Sequence, residues 1–308
     1  MTEEQEQPQE EEPKVDQPKA EQPQEKPQEE AIPVPQIKVK TRGADDNVKY
    51  LNILAHGDTG SGKTMLCGTM IKAGLKTLYI AFNQDELMTL DQAGIKGYDY
   101  QIITDYAKQL WPLYLGLRRN RPGYEGLILD GLADFQQSAK DYELAGDAGV
   151  NFKFMEEAMK GNRRMFLQNW GNLLEMTRHF LDPVLKLPMH KIITCVSEAD
   201  DDPKTGKTKI YPALQGSLQQ LIAAHFSVVG YSYIAHHGPK TYWCFTTQPH
   251  EALSTKDRTG LCRVLVNPHF QSFLDALNGK KPALTKLQED LMRTLILRPQ
   301  STSPGGKD

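Results

Sequence analysis

The sequence predicts an α/β fold with a mostly parallel central sheet, covered by helices and extended at one edge by an antiparallel hairpin. Three observations lead to this fold class. Short apolar runs, typical of buried strands, alternate with segments that have helical periodicity. The runs are continuous, as expected for parallel strands that helices cover on both faces. Two later strand-like runs flank His236-His237-Gly238-Pro239, which indicates the hairpin.

The first predicted elements are two strands with a helix between them. Residues 50–55 form an apolar run that leads into a Gly-rich turn, and a helix is predicted over 63–72. Ala73-Gly74 ends that helix, because glycine is the preferred residue just beyond a helix. The next strand is predicted over 77–82, and a helix over 85–93 follows it.

The middle of the chain continues the alternation. A short strand is predicted over 100–104, an amphipathic helix over 105–119, and an apolar strand over 126–130 that ends in a carboxylate. After a long polar stretch at 140–163 a helix is predicted over 164–181. Three further strands are predicted over 191–196, 226–234 and 241–246, of which the last two form the hairpin.

The two chain ends do not resemble the rest of the sequence. Residues 1–36 are nearly all Glu, Gln, Pro and Lys, and Glu-Gln-Pro-Gln-Glu occurs at both 6–10 and 21–25. Such a segment buries too little apolar area to offset the loss of chain entropy. We therefore predict a disordered acidic tail at 1–36, one domain at 37–296 and a disordered end at 297–308. The tail is either a flexible, solubilising extension or an interaction arm.

The formal net charge of −3 combines two regions of opposite sign. Residues 1–30 hold eleven acids and three lysines, a net charge of −8, which leaves +5 for the rest of the chain. A mildly basic domain permits contact with a polyanion. No apolar run approaches the roughly 20 residues of a membrane span, and the N-terminus is too acidic for a signal peptide. With four scattered cysteines in addition, we expect reduced thiols, no membrane and a cytoplasmic location.

The motif Gly57-Asp58-Thr59-Gly60-Ser61-Gly62-Lys63-Thr64 predicts a phosphate-binding loop. Its glycines allow several backbone N–H groups to converge on phosphate oxygens, at the positive end of the helix that follows. Lys63 is expected to neutralise the β- and γ-phosphates, and the Thr64 hydroxyl to bind Mg²⁺. Because the motif lies between a predicted strand and a predicted helix, we expect it to bind ATP with Mg²⁺.

Carboxylates near other strand ends are candidates for the remaining roles. Asp130 ends an apolar strand, where it can help to hold Mg²⁺. Gly131 follows it, so the Asp-Glu pair of AAA+ enzymes is absent. In RecA-like enzymes the water-activating Glu follows the strand after the phosphate-loop helix, and Asn83 occupies about that position here. Either Asp85 or Glu86 activates the water, or hydrolysis is weak.

The stretch Lys256-Asp257-Arg258-Thr259-Gly260 is a candidate for a catalytic element supplied to a neighbouring subunit. Two cations there could stabilise charge on the transferring phosphoryl group. The spacing of two residues places Lys256 and Arg258 on the same side of an extended strand. A solvated, charged turn is the alternative.

Taken together, these segments make the chain similar to the phage-encoded RecA-like P-loop ATPases, a family that includes single-strand annealing recombination proteins. The similarity rests on Gly57–Thr64, Leu127–Asp130, Trp170, Pro212–Gly216 and Lys256–Gly260, which together span about residues 47–270. It implies that the domain at 37–296 is a RecA-like ATPase, a homo-oligomer in the form of a ring or filament. It also implies a role with single-stranded DNA in recombination or repair, in the bacterial host cytoplasm if the chain is phage-encoded.

In such a core the loops after the third and fourth strands face the DNA. Here these would be 140–163, which contains Phe152 and Phe154 and leads into the basic stretch Lys160–Arg164, and 198–211, with Tyr211 at its end. Lys204, Lys207 and Lys209 could pair with phosphates, and the aromatic residues could stack on bases or simply pack. In relatives the strand at 191–196 often ends in a polar sensor such as His, which is not found here. A nucleotide-gated assembly or interaction module with weak hydrolysis is the competing function, and the absence of a glutamate at Asn83 favours it.

Overall fold

The structure is a computed structural model that describes residues 50–119, 123–145, 167–201, 206–261 and 263–297. These residues all belong to one of the two units into which the chain divides, Asn47–Asp308. The predicted tail at 1–36 and all residues after Leu297 lie outside the described residues. Their predicted disorder therefore stays a prediction.

The predicted alternation of strands and helices is present along the described chain. The strands are β1 (Asn52–Gly57), β2 (Thr77–Ala81), β3 (Asp99–Ile102), β4 (Gly126–Leu129), β5 (His190–Asp201), β6 (Thr208–Pro212), β7 (Val228–His237), β8 (Lys240–Thr246), β9 (Lys256–Asp257) and β10 (Val264–Val266). The helices are α1 (Lys63–Lys72), α2 (Asp85–Gln92), α3 (Trp111–Arg119), α4 (Leu132–Ala145), α5 (Leu167–Leu185), α6 (Leu218–Leu221), α7 (Phe270–Leu277) and α8 (Lys286–Leu297). A π-helical turn (Tyr106–Leu110) precedes α3, and a 3₁₀ turn (Ile222–His225) follows α6.

The strands form one sheet in the order β10-β8-β7-β1-β5-β4-β2-β3. The pairs from β7 across to β3 are all parallel. Strands β8 and β10 extend the sheet in antiparallel fashion beyond β7, while β6 pairs with β5 and β9 with β7. This is the mostly parallel sheet with an antiparallel extension that the sequence predicts, so the RecA-like P-loop NTPase fold class is confirmed.

Helices cover both faces of the parallel part of the sheet, because successive strand residues point to opposite sides. In β1, Ile53 packs in a cluster with α1, α2 and α7, whereas its neighbour Leu54 packs in a second cluster with α3, α4 and α5. Both residues are fully buried. A third, smaller cluster contains Tyr231, Val264 and Leu291 and lies between the antiparallel extension and α8.

Several elements were not predicted. Helix α4 begins two residues after the strand-end carboxylate Asp130, and α8 lies where no element was predicted. The predicted loop at 198–211 is largely a β-hairpin, because β5 continues to Asp201 and pairs with β6. Tyr211 is buried at 5% exposure in that hairpin, so the idea that it stacks on DNA bases is wrong.

Tryptophans within a predicted helix or strand are expected to pack in the core, which gives a core prediction for Trp111 and Trp243. That prediction is wrong, because the two side chains are 48% and 49% exposed. Trp170 lies in α5, and its side chain lies outside the described residues. Within the described part of the chain, every helix is too short or too polar to cross a bilayer.

Candidate nucleotide-binding site

The phosphate-binding loop connects the buried strand β1 to helix α1, as the sequence predicts. Gly57 ends β1 against β7, and a Cβ atom there would lie 2.2 Å from the carbonyl oxygen of Ser232. Gly62 has a φ of 90° and precedes the first helical residue. Only glycine tolerates the close approach at position 57, and glycine is the residue that readily adopts the left-handed backbone at position 62. The loop shape therefore depends on these two residues.

Lys63 lies over its own loop. Its Nζ atom donates to the carbonyl oxygens of Gly57 and Asp58, each at 2.8 Å. Burial lowers the pKa of its ammonium group, and the charge of Asp130 acts in the opposite direction. The Ser61 hydroxyl is buried and has no hydrogen-bond partner among the described residues. A buried hydroxyl and a cation held only by carbonyl oxygens suit a loop that receives an anion.

Asp130 follows β4 and faces the start of α1. Thr64 donates its hydroxyl hydrogen to Oδ2 of Asp130 at 2.8 Å, and the Tyr79 hydroxyl also donates to Oδ2. Thr194 on β5 donates to Oδ1 at 2.5 Å and accepts from the Gly131 N–H at 2.9 Å. Three neighbouring elements thus orient one carboxylate. Such support is expected around a metal-binding carboxylate.

The conformation of Gly131 explains why no glutamate follows Asp130. Gly131 has a φ of +104°, and a Cβ atom there would lie 2.6 Å from Oδ2 of Asp134. A side chain at this position would be both strained and crowded. An Asp-Glu pair here would therefore strain the backbone at residue 131 and displace the Asp134 carboxylate.

A cavity of about 590 Å³ opens between these groups. A cavity of this volume is typical of small-molecule sites. Its lining residues come from the phosphate loop and the start of α1, the segments just after β2 and β4, the middle of β5, helix α2, the start of α4 and strand β8. They are Thr59, Gly60, Gly62, Lys63, Thr64, Met65, Asn83, Asp85, Glu86, Thr89, Asp130, Gly131, Asp134, Thr194, Val196 and Trp243.

The two candidate bases both line the cavity but differ in environment. Asp85 is exposed, and its backbone N–H binds the Asn83 side chain at 2.7 Å. Glu86 is half-buried, and its Oε2 accepts from the Phe82 N–H at 3.1 Å. Burial and the charge of Asp130 raise the pKa of Glu86 to about 8. Glu86 is thus the carboxylate whose pKa suits proton transfer near neutral pH.

Sequence reasoning missed three polar residues of the site. Tyr79 and Thr194 bind Asp130 from neighbouring strands, and Asp134 lines the cavity from the first turn of α4. Burial and the charge of Asp130 raise the pKa of Asp134. Asp134 lies one helical turn beyond Asp130, a spacing that could have pointed to it. The strand order, which cannot be read along the chain, is what brings in Tyr79 and Thr194.

His56 anchors the strand that leads into the loop. It is fully buried, with Nε2 donating to the Ser254 carbonyl oxygen at 2.8 Å and Nδ1 accepting from the Ser197 hydroxyl at 2.8 Å. Burial lowers the pKa of His56 to about 4, the bond to Ser254 raises it, and the charge of Lys63 lowers it. The imidazole therefore stays neutral at physiological pH.

We predict that His56 makes the protein sensitive to mild acid. Unfolded histidine titrates near 6.5, whereas His56 in the fold titrates near 4. As pH falls from 6.5 to 4 the unfolded state binds more protons, so the free energy of unfolding falls. We expect a loss of about 2 kcal/mol between pH 7.5 and pH 5 from this residue.

Urea denaturation at the two pH values measures that loss. His56→Gln should flatten the dependence of unfolding free energy on pH. His236→Gln, a change at an exposed histidine near the end of β7, should leave it unchanged. An equal pH dependence in wild type and His56→Gln would contradict the assignment.

Lys256 and Arg258 lie away from the loop of their own chain. Lys256 is in β9, pairs with Val229 near the start of β7, and donates from Nζ to the carbonyl oxygens of Ala223 and Ala224 at 2.9 and 3.1 Å. The phosphate loop follows the end of β1, and β7 runs parallel to β1. Lys256, near the start of β7, therefore lies toward the opposite ends of these strands. Arg258 is exposed. Their role toward a neighbouring subunit stays a prediction.

The predicted DNA-facing segments are only partly described. Lys160–Arg164, Phe152, Phe154 and Lys204 lie outside the described residues. In the β5–β6 hairpin, Lys207 pairs with Glu251 at 2.8 Å. Lys209 lies 5.4 Å from the ring centroid of Tyr211. Contact between this hairpin and DNA stays a prediction.

A glycine-rich loop between the central β1 and α1, facing an aspartate at the end of β4, defines the class of P-loop NTPases. A family model described as an AAA domain matches residues 49–259, well over half of the chain. The chain therefore belongs to this AAA-domain family of P-loop NTPases. The match covers the loop, Asp130 and the stretch up to Thr259.

Comparison with solved structures gives a more distant likeness. The flagellar accessory protein FlaH from Methanocaldococcus jannaschii has 13% sequence identity and a TM-score of 0.32, and the match covers 64% of this chain and 78% of that chain. A likeness of this degree says nothing about activity. A comparison with curated proteins finds no match.

Proposed function

We propose that this protein binds ATP with Mg²⁺ and hydrolyses it. The observation that carries the proposal is the placement of Lys63, Thr64 and Asp130 around one cavity, at the end of β1 and the start of α1. The family supports nucleotide binding. ATP is the proposed nucleotide because the loop has the Gly-x-x-x-x-Gly-Lys-Thr pattern of phosphate-loop ATPases.

Each of the three residues has a defined task in this proposal. The loop N–H groups and the start of α1 receive the phosphates, and Lys63 exchanges its two carbonyl partners for phosphate oxygens. Thr64 and Asp130 are the residues that would hold Mg²⁺. When bound, Mg²⁺ neutralises charge on the β- and γ-phosphates. Tyr79 and Thr194 keep the Asp130 carboxylate turned toward Thr64.

Glu86 is the residue that we assign to activation of water. It lines the cavity and is fixed through the Phe82 N–H. Its raised pKa, about 8, lowers the fraction of carboxylate at neutral pH. A cation held at Asp130 offsets the charge of that aspartate and so favours ionised Glu86. Activation of water by Glu86 would then depend on a cation being bound at Asp130.

We further propose that the ATPase acts on single-stranded DNA as a ring or filament in phage recombination or repair. The support is the RecA-like fold, the mildly basic domain and the accessible Arg258. Asp257 stiffens the turn that contains Arg258, since its Oδ1 accepts from the N–H groups of Thr259 and Gly260 at 2.7 and 3.2 Å. A stiff turn with an exposed guanidinium suits insertion into the site of a neighbouring subunit.

ATP turnover with and without single-stranded DNA tests this role. We expect DNA to stimulate turnover, and Arg258→Ala to lower the stimulated rate about tenfold, because Lys256 still supplies one cation. Arg293→Ala, which removes an exposed arginine on α8, is the control and should keep the wild-type rate. If DNA neither binds nor changes turnover, the recombination role fails. An unchanged rate of Arg258→Ala in an assembled oligomer would refute the contact between subunits.

A nucleotide-gated assembly or interaction module is the second candidate. Two observations favour it: Asn83 occupies about the position where RecA-like enzymes carry a glutamate, and the raised pKa of Glu86 disfavours its ionised form. Such a protein would bind ATP and change its assembly while turning over slowly. Sedimentation with ATP and without nucleotide, together with a turnover measurement, separates the two candidates.

A further inference from the structure

Trp243 exposes a large aromatic surface beside the phosphate loop. Its side chain is 49% exposed and lines the same cavity as Lys63 and Asp130. A Cβ atom built on Gly62 would lie 3.1 Å from Cδ1 of Trp243, so the indole packs directly on the loop backbone. The other residues that line the cavity in the described part of the chain are not aromatic.

The sheet geometry explains this position. Trp243 and Phe245 are two residues apart on β8 and therefore face the same side. Phe245 is buried against helices α1 and α7 and is level with Gly57, because both pair with Ser232. Trp243 pairs with Ile234, two residues beyond that level. The tryptophan thus extends the apolar row past the end of β1, beside the first turn of α1.

A nucleotide whose phosphates occupy the loop carries its base to one side of them. Within the described residues, the carboxylates Asp85, Glu86, Asp130 and Asp134 line the cavity away from β8, on α2, α4 and the end of β4. A heteroaromatic base gains more from an indole face than from carboxylates. From this arrangement we infer that Trp243 stacks on the base of the bound nucleoside triphosphate. The inference rests on the proposed function and names the base-binding part of that site.

Stacking on one indole face predicts which nucleotides bind more tightly. The contact area grows with the size of the ring system, so purine nucleotides should bind more tightly than pyrimidine nucleotides. Stacking does not read the hydrogen-bonding edge of the base. ATP and GTP should therefore have similar affinities, and both should exceed those of CTP and UTP.

Calorimetric titration of the full chain with ATP and with tripolyphosphate, each with Mg²⁺, tests the inference. Tripolyphosphate has the phosphates but no base. Trp243→Ala should weaken ATP binding about tenfold and leave tripolyphosphate binding unchanged. Trp243→Phe should keep most of the ATP affinity. Trp111→Ala is the matched control, because Trp111 is 48% exposed but lies outside the cavity, and it should bind ATP as wild type does.

Each remaining result has one meaning. Wild-type affinity of Trp243→Ala for ATP would overturn the stacking role. So would an equal loss for ATP and tripolyphosphate, since it would show that Trp243 only supports the loop through Gly62. If the wild type binds tripolyphosphate as tightly as ATP, the phosphate site stands and the stacking role falls. If it binds neither, the proposed function itself fails.

Discussion

Lys63→Ala is expected to lower ATP turnover by about 100- to 1000-fold, because it removes the cation that faces the phosphates. The same variant should bind ATP much more weakly in a titration with a fluorescent ATP analogue. Within the described residues, the hydrogen bonds of the Lys63 ammonium go only to the carbonyl oxygens of Gly57 and Asp58. The substitution should therefore leave the fold intact, which thermal unfolding can check.

Lys72→Ala is the matched control for that experiment. Lys72 is an exposed residue in the last turn of the same helix, so its removal changes the net charge by the same amount. It should bind and hydrolyse ATP as wild type does. Unchanged ATP binding by Lys63→Ala, in a folded protein, would show that the nucleotide binds elsewhere.

Glu86→Gln is expected to lower turnover by about 100-fold or more while ATP binding persists. The amide can still accept the Phe82 N–H bond, so the start of α2 should keep its position. Because burial and the charge of Asp130 raise the pKa of Glu86 to about 8, kcat/KM for ATP, which reports the free enzyme, should rise with pH as this carboxyl ionises. Turnover at sub-saturating ATP between pH 6.5 and 9 should show this rise in wild type and lose it in Glu86→Gln.

Asp85→Asn distinguishes the two neighbouring carboxylates. Asp85 also lines the cavity but is exposed, and its removal should change turnover little. A large loss in Asp85→Asn with none in Glu86→Gln would assign the base to Asp85. If both variants keep wild-type turnover, neither carboxylate activates the water, and the slow, nucleotide-gated module gains support.

Much of the fold could be predicted because most of the parallel strands contain a continuous apolar run. Helix α1 has its predicted bounds, since Lys63 follows a glycine turn and Ala73-Gly74 ends the helix. Helix α4 could have been found from Leu132, Phe135 and Ala139, whose spacing is helical and which are all buried. The short strands β6 and β9 could not, because they are defined by pairing with distant strands rather than by their own residues.

The part of the candidate site that lies in one local motif could be predicted from the sequence. The part that depends on the order of strands in the sheet could not. Gly57–Thr64 could be identified because the loop needs its glycines and lysine in one unbroken stretch. Thr194 lies 64 residues from its partner Asp130 and reaches it only because β5 and β4 are neighbours. Trp243 alternates correctly for a buried row, but the sheet continues past the first turn of α1 and leaves it exposed. The contact of Thr194 and the exposure of Trp243 depend on strand order and on where neighbouring elements end. Sequence periodicity predicts neither.

Strand β5 connects the Asp130 contact to the β5–β6 hairpin. It is a continuous strand from His190 to Asp201, with Thr194 bound to Asp130 and, seven residues on, the end of the β5–β6 hairpin. At a rise of about 3.3 Å per residue that end lies about 23 Å from Thr194. A tilt of about 5° at Thr194, as Asp130 exchanges partners, would move the hairpin end by about 2 Å. A small change at Asp130, the proposed Mg²⁺ ligand, would thus be amplified at the surface that carries Lys207 and Lys209.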